Sequence, residues 1–508
     1  MVAARAEGGS TNPPGFDLSY PVGSVTETHQ CEWRGRAEEL ASENTALKDR
    51  LGSVEHQLEA LARAVFGKKS EKLPPIREQL RDGTPADPQA TLKKRRAARA
   101  AREELPTRES HHRVPTEKRH CPKCGSTDLR PLGRGAETVV YEYIPARLER
   151  QIHVQEKLAC ACGEGIVTAE APKAVEGGQY GPGLMAHVAV SKCLDSIPLY
   201  RQAKALARVG VPIHRNTLGD LFHRSADLAV PLYERLLELI RLEDYVRADE
   251  TPQRVLAPGK TRRAYVWTFR TEKLIAYVHA HGRSGSTAVA VLGGTKGYVQ
   301  VDAYSGYNAI TTPEGRLRVG CWAHVRRRFF DALSKAPEAQ RALDLILELY
   351  RVDAEVDADG QRGTDVHREA RRDRSAAALR ELSAWLTQEQ PKHPPKSPIG
   401  EAIQYTRSQW DALTRFLEDP RLALDNNASE GALRPLALGR KNYLFVGHDE
   451  AGENLAALMS LLATCEANGV NPIEYLADVL LRVSTHPASR LDELLPHRWR
   501  PPDLPNAA

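Results

Sequence analysis

Tyr245-Val-Arg-Ala-Asp249 places apolar and polar side chains alternately, the period of a half-buried strand, and it stops on an acid. Ala264-Tyr-Val-Trp-Thr-Phe-Arg270 and Leu274-Ile-Ala-Tyr-Val-His279 read as a hairpin turning around Thr271-Glu-Lys. A helix follows from about Ser286 to Leu292. Tyr298-Val-Gln-Val-Asp302 then reads as the next strand, again closing on an acid. A third carboxylate stands in Asp425-Asn-Asn-Ala-Ser-Glu430-Gly-Ala-Leu-Arg434-Pro-Leu-Ala-Leu-Gly-Arg440-Lys441-Asn-Tyr-Leu-Phe445. Asp425 and Asn426 read there as a helix start, with Glu430 and Arg434 four apart on one helical face. A lone carboxylate among cations is most often a surface ion pair of small worth. Two strand-end aspartates and a helical glutamate are something else. They are the oxygen donors that hard Mg2+ takes, and two such ions clamp both oxygens of an in-line phosphoryl displacement.

Four stretches carry a resemblance: Ala248-Asp-Glu-Thr251, Val301-Asp-Ala-Tyr-Ser-Gly-Tyr307, Cys321-Trp-Ala-His324, and the Asn426–Phe445 pattern with its Glu430, Arg434 and Arg440-Lys441-Asn442. Together they resemble the IS66-family insertion-sequence transposases, from about Leu40 to Leu481. The resemblance implies an RNase H-like core, which the strand, hairpin, helix, strand order fits, and a catalytic triad of Asp249, Asp302 and Glu430. It implies two Mg2+ ions, with Mn2+ able to substitute, and DNA as partner: the terminal inverted repeats of an element and its target. Strand cleavage would free a 3′-hydroxyl that then attacks a target phosphodiester, with companion proteins of the same element taking part. Arg434, Arg440 and Lys441 would hold phosphates. Cys321 and His324 have no second pair nearby, so packing or DNA positioning suits them better than metal binding. Arg326, Arg327 and Arg328, on the helix that follows, are placed to reach phosphates.

Outside this core the chain reads as a multidomain α+β protein. It has 508 residues, 41% apolar and 27% charged, an ordinary composition long enough for several domains. The net charge of +5 is mild, so basic runs rather than the total point to nucleic acid. Residues 1–34 lack periodicity and read as a disordered tail, with no apolar signal core. In residues 35–67, Leu40, Leu47, Val54 and Leu61 recur every heptad, with Asn44, Leu51, Leu58 and Val65 at the second seam position. That pattern predicts a leucine-zipper-like coiled coil and a homodimer, the polar Asn44 fixing register. Gly67-Lys-Lys-Ser-Glu-Lys matches a short motif of the family. Residues 68–115 form a basic linker containing Lys93-Lys-Arg-Arg96.

Residues 116–170 hold Cys121-Pro-Lys-Cys124-Gly and Cys160-Ala-Cys162-Gly, two paired-thiolate turns that suit one tetrahedral structural Zn2+. The CxC spacing of the second pair departs from the CxxC of relatives; His120 and His153 could substitute as ligands but read more readily as ordinary turn and strand residues. Alternating runs at 138–144 and 151–155 predict strands between the pairs. Residues 181–240 read as helical, with a helix-turn-helix around Val209-Gly210-Val-Pro. Arg215, Asn216 and Thr217 begin its second helix, where base or phosphate contact is expected. The catalytic region spans 244–453, with a helical insertion at about 338–420 broken at Pro391–Pro398. Helices and a Pro-rich tail complete 454–508. No apolar stretch approaches the roughly 20 residues needed to cross a bilayer, and few cysteines fit a reduced, cytoplasmic and nucleoid-associated protein. A different class of reading remains beside the enzyme: a non-catalytic zinc and helix-turn-helix DNA-binding regulator derived from a transposase.

Overall fold

The computed structural model describes residues 178–501 without a break. It also describes residues 148–155, 157–159 and 166–168 and the single residues Arg36, Leu40, Leu92, Arg96, Ala100 and Ala174. Arg36 and Leu40, both helical and exposed, fall in a first unit, Met1–Leu73. Everything else described belongs to a second, Pro74–Ala508. The heptad positions from Asn44 onward, and Cys121, Cys124, Cys160 and Cys162, lie outside the described residues. The expected strand at 151–155 is not one: Ile152 and Val154 are exposed and unladdered. The ladder is instead β1 (Lys157–Ala159) antiparallel to β2 (Ile166–Thr168), so the hairpin brackets Cys160 and Cys162 in sequence.

Three helices lead to the sheet: α1 (Pro182–Cys193), α2 (Leu199–Arg208) and α3 (Arg215–Leu242). The His214 ring caps α3 by accepting the Asn216 N–H. A stripe of Leu218, Leu221, Phe222, Ser225, Ala229, Leu232, Leu236 and Ile240 buries one face, at the spacing an amphipathic helix requires. The last carbonyls of α3 are met by Arg316, a fully buried cation that donates to the Arg241 and Glu243 oxygens at 3.0 and 2.9 Å.

The sheet contains β3 (Tyr245–Ala257), β4 (Lys260–Arg270), β5 (Ile275–Ala280), β6 (Gly297–Gln300) and β7 (Arg316–Val319). Its order is β5-β4-β3-β6-β7. The pairs β5-β4 and β4-β3 are antiparallel, while β3-β6 and β6-β7 are parallel. The hairpin from β3 to β4 turns at Pro258-Gly259, with Gly259 at φ +67°, a backbone that glycine adopts without cost. The crossover from β5 to β6 carries α4 (Ser286–Leu292), where the sequence predicts it.

Edge strand β5 would expose unpaired backbone, and α13 (Asp449–Ala467) closes it. Thr464 Oγ1 accepts the Ile275 N–H at 3.1 Å and Ser460 Oγ accepts that of Tyr277 at 2.8 Å. Residues of α1, α3, the sheet, α13 and α14 (Pro472–Arg482) share one hydrophobic core. Segments 181–240 and 454–508, read separately in the sequence, thus pack with the catalytic region.

A second core is built by α5 (Trp322–Ala332) and by the insertion's α6 (Ala339–Ala358), α8 (Ala376–Glu389), α9 (Pro398–Ser408) and α10 (Trp410–Thr414), while α7 (Asp365–Ala370) follows α6 without contributing to it. A π-turn at Arg371–Ser375 joins α7 to α8. It drives Arg371, 1% exposed, into a fork on Asp353, with Nε–Oδ1 at 2.8 Å and Nη2–Oδ2 at 2.5 Å. Burial alone would raise the Asp353 carboxyl, but hydrogen bonds from Arg371 and His367 hold it below the ordinary value. The chain then returns to the sheet through α11 (Asn427–Ala432) and α12 (Arg434–Tyr443). Among the described residues no helix is long and apolar enough to cross a membrane.

Candidate active site

Asp249 lies in the middle of β3 rather than at its end, because the strand continues to Ala257 against β4, with a single bridge from Val255 to Val446 on its other edge. The parallel partner β6 stops earlier. Its register pairs Tyr245 with Tyr298, Val246 with Val299 and Arg247 with Gln300. The same offset carried two residues further sets Asp249 beside Asp302, which follows β6 directly. The β3-β6 pairing itself ends two residues earlier, at Arg247 and Gln300.

Glu430 sits on α11, and three bonds tie that segment to the sheet and to α5. Asn426 Nδ2 donates to the Ala248 carbonyl at 2.8 Å, next to Asp249. The Asn426 N–H donates to Cys321 Sγ at 3.3 Å, and Arg270 Nη1 to the Ala428 carbonyl at 3.1 Å. Cys321 is buried, its thiol pushed up to about 12 by burial, and its sulfur accepts the bond that braces the glutamate segment. His324 stands one turn along α5 with Nε2 3.9 Å from Glu430 Oε1. The expected continuous face from Glu430 to Arg434 is broken: α11 ends at Ala432, Pro435 starts α12, and Arg434 is its exposed first residue.

Burial pushes the Asp249 carboxyl up to about 7; the charges of Glu250, Glu430 and Asp302 add to this, and the Glu250 N–H on Oδ1 opposes it. Asp302 Oδ1 accepts the Tyr304 N–H at 2.9 Å. Among the described residues none of these three acids is ion-paired with lysine or arginine. Such mutually repelling, uncompensated carboxylates fit a hard divalent cation, which would replace the proton on Asp249. They are not drawn into a cage: among the described residues no three metal-ligating side chains stand close enough to hold an ion.

The sequence reading missed Glu250. Strand alternation points it away from Asp249, and its side chain, 2% exposed, receives Tyr307 Oη at 2.6 Å and Arg283 Nη2 at 2.5 Å. That bond ties β3 to the short turn after Asp302. The only local signal was a second acid beside the first.

The cations expected to meet phosphate divide. Arg434 and Lys441 are exposed, as are Arg215 and Asn216 at the start of α3, with Thr217 half-buried. Arg327 is also exposed. Arg326 is 6% exposed on the inner side of α5, because its position shares the helix face of Trp322 and Phe329, and it does not reach the surface. Arg440 is half-buried, with Nη1 2.6 Å from Thr251 Oγ1.

Residues 177–454 match the family model for the transposase IS66 family, and residues 460–497 that for the IS66 C-terminal element. Residues 118–163 match the zinc-finger binding domain of transposase IS66. The chain is 33% identical to an uncharacterized protein, y4jD, of Sinorhizobium fredii, covering 78% of this chain and 81% of that one. A second from the same organism, y4qI, is 34% identical over 71% and 70% of the two chains. A third, y4hP, is 28% identical over 75% and 73%.

Proposed function

We infer the function from one premise: the chain belongs to the IS66 transposase family. Its transposase role is that of a DDE enzyme that cuts the ends of an insertion sequence and joins them to target DNA. The sheet order, with one antiparallel strand beside a parallel trio, supports an RNase H-like reading of the core. The observation that carries the proposal is that the β3-β6 register runs on to Asp249 and Asp302 while the Asn426 bond to the Ala248 carbonyl ties the Glu430 segment to the same strand, acids far apart in sequence.

Asp249, Asp302 and Glu430 would hold two Mg2+ ions, with Mn2+ as substitute; when bound, these ions supply charge neutralisation and an activated oxygen. The protein's own contribution is placement. Asn426 and Cys321 fix the glutamate segment against β3, and Glu250 fixes the turn after Asp302 through Tyr307. Arg434 and Lys441, exposed on α12, and Arg327 on α5 hold the DNA backbone, and His324 orients Glu430. Arg215, Asn216 and Thr217 meet DNA at the start of α3. Cys121, Cys124, Cys160 and Cys162 hold a structural Zn2+ within the zinc-finger segment. The heptads make the dimer that holds two ends together.

The test is a strand-transfer assay with the full chain, a labelled element end bearing a free 3′-hydroxyl, plasmid target and Mg2+. Wild type gives joined product. Asp302→Asn binds the end and gives none; joining by this variant at the wild-type rate removes Asp302 from the triad.

A further inference from the structure

Beyond the end of β6, the β3-β4 hairpin runs on as a two-stranded arm. Arg254 and Arg263 are directly opposite on it and both exposed. Like charges in that position destabilise a sheet. No carboxylate compensates them: among the described residues neither is ion-paired, and Arg254 donates only to Thr261 Oγ1 at 3.1 Å. Arg440 is folded towards the same arm by its bonds to Thr251 Oγ1 and the Pro252 carbonyl.

Facing these cations is a strained turn. Leu444 holds φ +58° and ψ −43°, the centre of a γ-turn closed by the Phe445 N–H on the Tyr443 carbonyl, a backbone that a branched apolar side chain adopts at a cost. It is pinned from two residues on: the Val446 N–H donates to the Arg254 carbonyl, and the Val446 carbonyl accepts the Leu256 N–H, each at 2.9 Å. The turn leaves Leu444 64% and Phe445 39% exposed beside the arginines. Pro252, Arg254, Arg263, Arg440, Leu444 and Phe445 line an open pocket of about 490 Å3. An aromatic edge, an aliphatic wall and uncompensated guanidiniums are the elements with which proteins bind an unstacked base and its phosphate.

We propose that this pocket takes an unpaired nucleotide of the bound DNA, its base against Leu444 and Phe445 and its phosphate against Arg254 and Arg263. The proposal rests on the transposase reading and adds a subsite to it. Pro252 and Arg254 lie three and five residues beyond Asp249 on β3 and, like Glu250, on the opposite strand face from it, so the pocket lies across the arm from the carboxylates and takes a nucleotide that has left the duplex.

The full chain is titrated with a labelled blunt duplex and with the same duplex carrying a single-stranded overhang of about five nucleotides. The overhang substrate binds about ten-fold more tightly, the scale of stacking one base. Phe445→Ala brings it to the blunt-duplex affinity, and Phe445→Trp keeps the preference, which a merely folded-state role would not predict. Arg254→Ala with Arg263→Ala lowers the salt slope of overhang binding by about one to two. Equal binding of the two duplexes by wild type, or a preference that survives Phe445→Ala, overturns the pocket. A chain that joins ends yet shows no overhang preference refutes the pocket alone. One that binds neither duplex refutes the transposase reading and the pocket together.

Discussion

Asp249 is the residue on which the electrostatics of the site converge. Its folded value of about 7 lies above the ordinary 3.8, so ionising it works against the metal-free fold. That penalty is absent below about pH 4, grows as pH rises towards 7, and is complete above it. Asp249→Asn, which cannot ionise, is therefore expected to raise the melting temperature of metal-free protein at pH 8 by roughly 2–4 °C, and by less at pH 5. A lower melting temperature for the variant at pH 8 would contradict this. Below about pH 7 a metal must also displace the Asp249 proton, so affinity for Mn2+ weakens up to about ten-fold per pH unit. The elements that carry the three acids were legible because each lies in a local pattern: a strand, a strand and a helix start. Glu250 was not, since its partners Arg283 and Tyr307 are far along the chain and only the fold brings them to it. Arg326 was read as surface because three arginines in a row hide which one faces inward.

At the scale of elements, what the site needs is a firm tie between α11 and β3. A helix as short as Asn427–Ala432 has little stability of its own, so its position comes from Asn426, Cys321 and Arg270. Asn426→Ala removes the bond to the Ala248 carbonyl at a stability cost of about 1–2 kcal/mol. Displacing Glu430 by even about 1 Å is worth about a hundred-fold in rate. The expected outcome is strand transfer reduced far more than the loss of folded fraction explains, read by joining rate alongside a denaturant midpoint. A variant whose activity follows its folded fraction would show that Asn426 only packs. The hairpin, α4 and the helical insertion with its Pro-rich break were legible from alternation, turn residues and length. The end of β3 was not: the strand read as stopping at Asp249, but β4 continues to pair with Thr251, Pro252 and Gln253. Nor was the break at Leu433, where a proline one residue into the next helix divides what the four-residue spacing joins.

At the scale of the molecule, one core joins α1, α3, the sheet, α13 and α14, and a second stands under the insertion. The insertion separates Asp302 from Glu430 in sequence, yet α5 precedes it beside the site and α10, near its end, returns to β7. The Gly320 N–H donates to the Ala412 carbonyl at 2.8 Å and the Trp322 N–H to that of Leu424 at 2.9 Å, so the excursion closes where it opened. The excursion therefore returns the Glu430 segment to the strand that carries Asp249, which no local pattern in the sequence expresses. The heptads and paired cysteines read clearly as sequence, and both lie outside the described residues. The account stands most directly on the claim that Asp249, Asp302 and Glu430 become one metal site when DNA is bound. The measurement is anomalous scattering from Mn2+ in crystals of the full chain on an element end. The account predicts Mn2+ peaks at about 2.1 Å from oxygens of all three carboxylates. Mn2+ bound elsewhere, or the three acids left apart and metal-free on DNA, would contradict it.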